Sequence, residues 1–240
     1  MKVTLISHTP EAERLLLFTK ATRLTLSPGL LSEIRAKTPE EVAAELSYMA
    51  NTIPSSWEFV DYVFLVEGVS RAYTHQQVRT RAASYAQQTL RVLDAAEFDY
   101  VFTDRNAADE ASMDVINDVL RAIRAGYRSL RALGQPPEDA RGILPTNIAT
   151  NIVCKFNLRT MAELARSRTG GRTQGEYQRV INAMIDAVLA VHPWAKEFFF
   201  SKGRDYFSEV EAFALKAFPD DLLKRGELLK IVDHMRKETK

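Results

Sequence analysis

Arginine is concentrated in this chain where lysine is nearly absent. Between Arg71 and Arg179 there are fifteen arginines and one lysine, Lys155. A planar guanidinium takes phosphate or carboxylate through two parallel N–H bonds, whereas an ammonium is a compact point charge. A surface built for solubility alone would mix the two. Two segments carry the pattern. One is Gln76-Gln77-Val78-Arg79-Thr80-Arg81 running on to Thr89-Leu90-Arg91; the other runs from Asn157-Leu158-Arg159 to Arg172. Arg79, Arg81 and Arg91 sit among small or hydroxylated neighbours, which let a ligand approach the backbone and supply donors to phosphate oxygens. The segments read as two halves of a site for phosphorylated ligands. Arginines paired with carboxylates for purely structural ends are the competing reading.

Bulk properties narrow the ligand class. The chain has 240 residues, 46% of them hydrophobic, and a formal net charge of +1. That is enough apolar material for a sizeable core. No linker, repeat or low-complexity tract divides it, so one domain over 1–240 is expected. A general nucleic-acid binder would be strongly basic, so the arginines are expected to serve something local. The single cysteine, Cys154, excludes an internal disulfide and accords with a reducing cytoplasm. Neither a signal-peptide pattern nor an apolar run of spanning length is legible. His8, His75, His192 and His234 are too scattered for a metal site, and none is expected.

The elements that must position the arginines follow from periodicity and caps. Strands are expected at Lys2–Ser7, Phe59–Val66 and Thr146–Phe156, with short ones at Arg91–Leu93 and Asp99–Phe102. Helices are expected at Glu11–Ala21, Pro39–Ala50 and Ser70–Val78. Thr38 and Glu41 form a capping box for the second of these. The clearest helix is Asp109–Leu133, where Met113, Ile116, Leu120, Ile123, Tyr127 and Leu130 make one apolar stripe. Its Arg121, Arg124, Arg128 and Arg131 read as a solvated face. Asn157 caps a helix to about Arg166, and Thr173 with Glu176 has the capping-box form for a helix to about Val191. The charged tail from Leu222 reads as a terminal helix. Without a regular βαβ rhythm the fold class is α+β, a central antiparallel or mixed sheet flanked by helices.

The arginine segments resemble the flavin-dependent thymidylate synthases. The family signature RHRx7S appears as Arg79-Thr80-Arg81, seven residues, then Thr89. Gln76 and Arg91 fall at two nucleotide-contacting positions. Arg141-Gly142-Ile143-Leu144-Pro145 resembles R-x-x-L-P, and twelve residues past Pro145 comes Asn157-Leu158-Arg159, resembling N-x-R. Arg168 matches the pyrimidine-binding arginine, and Gln174-Gly175-Glu176 matches Q-x-E. The resemblance runs from about Thr25 to Phe199. Departures are Thr80 and Thr89 within the signature, Gln87 in place of Glu, Ile53 in place of an upstream His, Glu163 in place of Asn and Arg172 in place of His.

The resemblance implies methylation of uracil C5, with FAD as cofactor and NADPH and methylenetetrahydrofolate as co-substrates. It implies that Gln76, Arg79, Gln87, Thr89, Leu90, Arg91 and Arg141 hold the nucleotide. Arg168 binds the pyrimidine and stabilises it catalytically. Thr25, Ser55, Arg79, Thr80, Arg81, Asn157, Arg159, Glu163 and Arg172 contact the flavin. It further implies a homotetramer with shared active sites. The divergent signature resembles the branch that methylates both UMP and dUMP in polyoxin-type antibiotic biosynthesis. An ordinary enzyme acting on dUMP alone is the alternative. A non-catalytic nucleotide or flavin binder and an RNA-binding module on the Arg121–Arg131 helix are the readings from other classes. Cys154, in an apolar strand far from any histidine, is expected to be buried and inert.

Overall fold

In a computed structural model of the chain, all residues are described except 25–27, 53, 171–172, 201–205, 220 and 239–240. The side chains of 206, 208, 237 and 238 are likewise left undescribed. Thr25, Arg172 and Ile53 therefore lie outside the described residues. The chain forms two compact units, Met1–Phe200 and Ser201–Lys240.

The first unit is built on four strands: β1 (Lys2–His8), β2 (Asp61–Ser70), β3 (Ala83–Gln87) and β4 (Ala149–Asn157). Their order is β1-β2-β4-β3 and every pairing is antiparallel. This is an α+β fold, with none of the parallel pairing that a mixed sheet would require. Alternation along β2 buries Tyr62, Phe64 and Val66, and along β4 buries Thr150, Ile152, Cys154 and Phe156. The register places Tyr62 opposite Phe156 and Phe64 opposite Cys154, so the two inner rows pack directly. Each large apolar side chain taken fully from water contributes about 1.5–3 kcal/mol. Gly68 sits at φ +65° where the β2–β4 register shifts, a left-handed position that favours glycine at a bulge.

The helices of this unit are α1 (Ala12–Ala21), α2 (Leu30–Ala36), α3 (Pro39–Met49), α4 (Arg71–Gln77), α5 (Asp104–Ala107), α6 (Glu110–Ala132), α7 (Pro137–Ala140), α8 (Leu158–Arg168), α9 (Gly175–Val191) and α10 (Ala195–Phe200). Short 3₁₀ segments lie at Pro54–Phe59 and Arg141–Ile143. Thr38 and Glu41 make the expected reciprocal capping box on α3. On α6, Leu120 and Tyr127 are buried and the rest of the stripe is half-buried. Helices α8 and α9 bring Leu158, Met161, Tyr177, Val180 and Met184 onto the main core, where Trp57, Phe198 and Phe199 also pack.

Three local expectations differ from the structure. Arg91–Leu93 is a turn rather than a strand, and of Asp99–Phe102 only Tyr100 makes a bridge, to Ile148. The strand β3, Ala83-Ser84-Tyr85-Ala86-Gln87, forms where small residues gave no strand signal. The Thr173–Glu176 capping box is absent: Gln174 is the N-cap of α9, without a side-chain bond. The Glu176 carboxylate instead accepts from the Ser70 backbone N–H at 2.7 Å and the Ser70 hydroxyl at 2.6 Å, and Ser70 caps α4.

The second unit holds α11 (Tyr206–Ala217) and α12 (Leu222–Glu238), joined by an ion pair of Arg236 with Glu211 at 3.1 Å around buried Ala214 and Val232. Among the described residues no helix is long and apolar enough to cross a membrane.

Candidate functional site

The first arginine segment straddles β3. Arg79, Thr80 and Arg81 lie in the loop that enters the strand, and Thr89, Leu90 and Arg91 follow its far end. Five residues of strand hold the two groups about 16 Å apart at ~3.3 Å per residue. One chain therefore presents two separate candidate clusters, one at each end of β3.

The first half gathers where the 79–82 loop meets α8. Asn157 caps that helix, its Oδ1 accepting from the Thr160 N–H at 2.8 Å. The Thr160 hydroxyl donates to the Ala82 carbonyl at 3.1 Å, which ties the loop to the first turn of the helix. Arg159 pairs with Glu58 at 2.7 Å and with Glu163 at 3.4 Å, and the Glu58 bond raises its pKa above the ordinary arginine value. Ser55 lies on the same 3₁₀ segment as Glu58, its hydroxyl accepting from Arg23 at 3.3 Å. Ser55 therefore lies on the segment that Glu58 ties to α8, the helix that Asn157 caps and that carries Arg159 and Glu163. Arg79 and Arg81 are exposed and, among the described residues, have no ion pair. Arg168 ends α8 with its guanidinium over the Tyr177 ring, 5.3 Å from the centroid. Gln76 on α4 donates to the Gln174 side chain. Gln174 also lines a cleft of about 500 Å³ with Ser70, Asn147 and Arg179.

The second half lies at the other end of β3. Gln87 donates to the Thr74 hydroxyl at 2.9 Å, so its amide is fixed against α4. The Thr89 hydroxyl accepts from the Arg91 N–H at 3.1 Å. The Leu90 side chain is buried with Ala95, Tyr127, Ala140 and Ile148. Arg91 pairs with the Glu138 carboxylate at 3.1 Å, and Arg141 donates to the Glu138 carbonyl at 3.1 Å.

Arg71 belongs to this half and was missed from sequence. It donates to the Gln88 carbonyl at 2.7 Å, and its Nε is buried with no partner. Burial lowers its pKa, and the nearby positive charge of Arg141 lowers it further. Like charges held together without an acid between them are costly unless an anion joins them. The sequence signal was present, since Arg71 opens the arginine-rich stretch, but only the strand register brings it to Gln88 and Arg141.

The remaining candidates resolve as structural. On α6, Arg121 pairs with Asp118, Arg128 with Glu97 at 2.8 Å and Arg131 with Asp94 at 3.7 Å, while Arg124 covers the Tyr100 ring at 4.9 Å. Cys154 is buried, and burial pushes its thiol up to about 12. His192 is buried with its Nδ1 3.0 Å from the Tyr62 hydroxyl and its ring against His8 and Trp194. Among the described residues no group of three or more His, Cys, Asp or Glu is placed to hold a metal.

The family model described as thymidylate synthase complementing protein matches residues 4–194. The flavin-dependent thymidylate synthase of Nitratidesulfovibrio vulgaris is 30% identical over 241 aligned residues, covering 91% of this chain and 95% of that protein. The enzyme of the same description from Geobacter sulfurreducens is 33% identical over 197 residues, covering 80% and 84%. Among solved structures, the flavin-dependent thymidylate synthase of Helicobacter pylori complexed with FAD and dUMP superposes with a TM-score of 0.67 at 17% identity, covering 84% of this chain and 98% of that one. The UMP/dUMP methylase PolB of Streptomyces cacaoi, bound with 5-Br dUMP, gives 0.68 at 17% identity, covering 85% and 96%. At that identity the structures speak for the fold; the matched sequence from residue 4 to 194 makes this chain a member of the flavin-dependent thymidylate synthase family.

Proposed function

We propose that this chain methylates uracil C5 of dUMP, with FAD as cofactor and NADPH and methylenetetrahydrofolate as co-substrates. In a member of this family, the observation that carries the reading is Arg71, half-buried with its Nε unpartnered and, among the described residues, no ion pair, where the positive charge of Arg141 adds to burial in lowering its pKa. Two guanidiniums so placed, with the Thr89 hydroxyl and Arg91 alongside, suit a nucleotide phosphate. Arg168 faces the pyrimidine and stabilises negative charge as it develops on the ring. Gln76 and Gln87 orient the nucleoside through their amides.

The flavin half fits its ligand in the same terms. Arg79 and Arg81, without acid partners, lie beside the N-terminus of α8 and suit an anionic diphosphate. Ser55, Thr80, Asn157, Arg159 and Glu163 offer hydroxyl, amide and charged groups around it. FAD supplies the hydride chemistry when bound; the protein supplies orientation and charge. No side-chain nucleophile is needed, in accord with a Cys154 thiol held protonated by burial.

The two half-sites at opposite ends of β3 support a homo-oligomer, a tetramer by family resemblance, in which a second copy completes each site. Methylation of UMP as well is a second reading, favoured by the fold likeness to the Streptomyces cacaoi methylase. The sequence relatives carry the thymidylate synthase description, which favours the dUMP-only enzyme over the antibiotic branch. Tritium release from 5-tritiated dUMP and UMP, each with FAD, NADPH and methylenetetrahydrofolate, tests both. Release from dUMP alone is expected. Release from UMP at a comparable rate would establish the second reading, and release from neither would sink both.

A further inference from the structure

Behind the Arg79–Arg81 loop lies a polar set to which the proposed reaction assigns nothing: buried Tyr73, Gln77 and Tyr177, and half-buried Tyr85. The Tyr85 hydroxyl lies 2.8 Å from the Gln77 carbonyl and 2.9 Å from the Thr80 carbonyl, so it staples the end of α4 to the loop. The Tyr73 hydroxyl donates to Gln77 Oε1 at 3.1 Å. The Tyr73 and Tyr177 rings meet edge to face, centroids 5.3 Å apart at 76°.

Tyr177 is 1% exposed, and its hydroxyl has no hydrogen bond of good geometry. Burial raises the phenol above its ordinary pKa; Thr80 and Arg168, close by, pull against that rise. The hydroxyl thus lies near Thr80 and Arg168 but makes no hydrogen bond of good geometry with either, and a bond so poorly aligned contributes little that phenylalanine would not supply. The ring face is another matter. It carries the Arg168 guanidinium at 5.3 Å, within the distance at which the ring quadrupole attracts a cation. Arg168 is exposed at the last position of α8, next to the cap residue Thr169. Among the described residues it has no ion pair, and its contact is with Tyr177, chiefly the ring face. Edge contact from Tyr73 and the buried start of α9 in turn hold that ring in place.

We propose that Tyr177 is a positioning residue for Arg168, acting through its ring face and not its hydroxyl. The inference rests on Arg168 serving the nucleotide. Its test therefore has one arm that needs no nucleotide. The FAD-loaded protein is treated with phenylglyoxal, and labelling of Arg168 is followed by peptide mass spectrometry in wild type, Tyr177→Phe and Tyr177→Met. Tyr177→Leu serves if Tyr177→Met fails to fold by circular dichroism. Removing the ring should raise the labelling rate about two- to fivefold, the scale of an exposed cation–π contact, while Tyr177→Phe should match wild type. In the second arm, dUMP binding is measured by calorimetry for Tyr177→Met, Arg168→Ala and the double variant. Tyr177→Met should weaken dUMP by a similar factor in the Arg168 background and not at all once Arg168 is alanine. Unchanged labelling in Tyr177→Met, losses that multiply in the double variant, or Tyr177→Phe as damaging as Tyr177→Met would overturn the proposal. Failure of wild type to bind dUMP counts against the proposed function alone, and the labelling arm still decides the role of Tyr177.

Discussion

Two sets of arginines occupy this chain, and they differ in what stands opposite them. Three of the four on α6 face their own acids: Asp118, Glu97 and Asp94 answer Arg121, Arg128 and Arg131, while Arg124 lies over the Tyr100 ring. Around β3 the pairing is partial: Arg91 pairs with Glu138, and Arg159 with Glu58 and Glu163. Arg71, Arg79, Arg81, Arg141 and Arg168 have no ion pair among the described residues, although Arg71 and Arg141 are close enough to repel. The residue type is the same and the density along the chain is similar. On the proposed reading, the arginines left uncompensated are the ones with most charge to offer a ligand anion, and residue type alone does not distinguish them from the paired ones.

The sharpest way to break this comparison is to separate the half-sites. Arg79→Ala and Arg141→Ala should each lower kcat/KM for dUMP by roughly tenfold to a hundredfold, the scale of one lost charge-assisted hydrogen bond. Mixing the two weakened proteins under conditions of subunit exchange should restore part of the lost activity, because some sites would then draw both intact arginines from different copies. A mixture no more active than its parts would show that one chain builds the whole site.

A second test separates loss of charge from loss of fold. His192 sits buried between His8 and Tyr62, and burial, with His8 adding to it, lowers its pKa below the ordinary 6.5. The unfolded chain therefore takes up the proton first as pH falls. Stability from this group is fully present above about pH 6.5, and is lost as pH falls toward the lower folded value. Thermal melts should shift downward over that range, and His192→Gln should flatten the shift. A variant that melts as steeply with pH as wild type would remove His192 as the cause. Substitutions around β3 should leave this profile unchanged.

The smallest effect belongs to the paired set. Arg128→Gln should leave turnover at the wild-type level and change stability by no more than ~1 kcal/mol, since its pair with Glu97 is exposed on both sides. Measured loss of dUMP turnover in this variant would erase the distinction between the two sets.

Much of the fold was legible because it rests on local rules. The capping box of Thr38 and Glu41, the long stripe of α6, the Asn157 cap and the alternation of β2 and β4 all depend on residues within a turn or two of one another. The failures share one cause. Glu176 was expected to close a box with Thr173 three residues away, yet its carboxylate serves Ser70, 106 residues distant in sequence. Strand β3 exists because β4 offers it an edge, not because Ala83–Gln87 has strand propensity. The turn at Arg91–Leu93 has no such partner.

The candidate site divides along the same line. Residue types and spacings marked two arginine-rich segments, and their resemblance to the family's motifs singled out Arg79, Thr80, Arg81, Thr89, Arg91, Arg141, Asn157, Arg159 and Arg168, since a motif is recognised by identity and interval. Only the tertiary structure decided which of them stand together. It placed Arg79 and Thr89 at opposite ends of one strand, carried Arg71 to Arg141, and set Tyr177 under Arg168. Charge compensation and cation–π contact fall off within a few ångströms, so they depend on through-space neighbours that strand register and helix packing create and that no interval along the chain records.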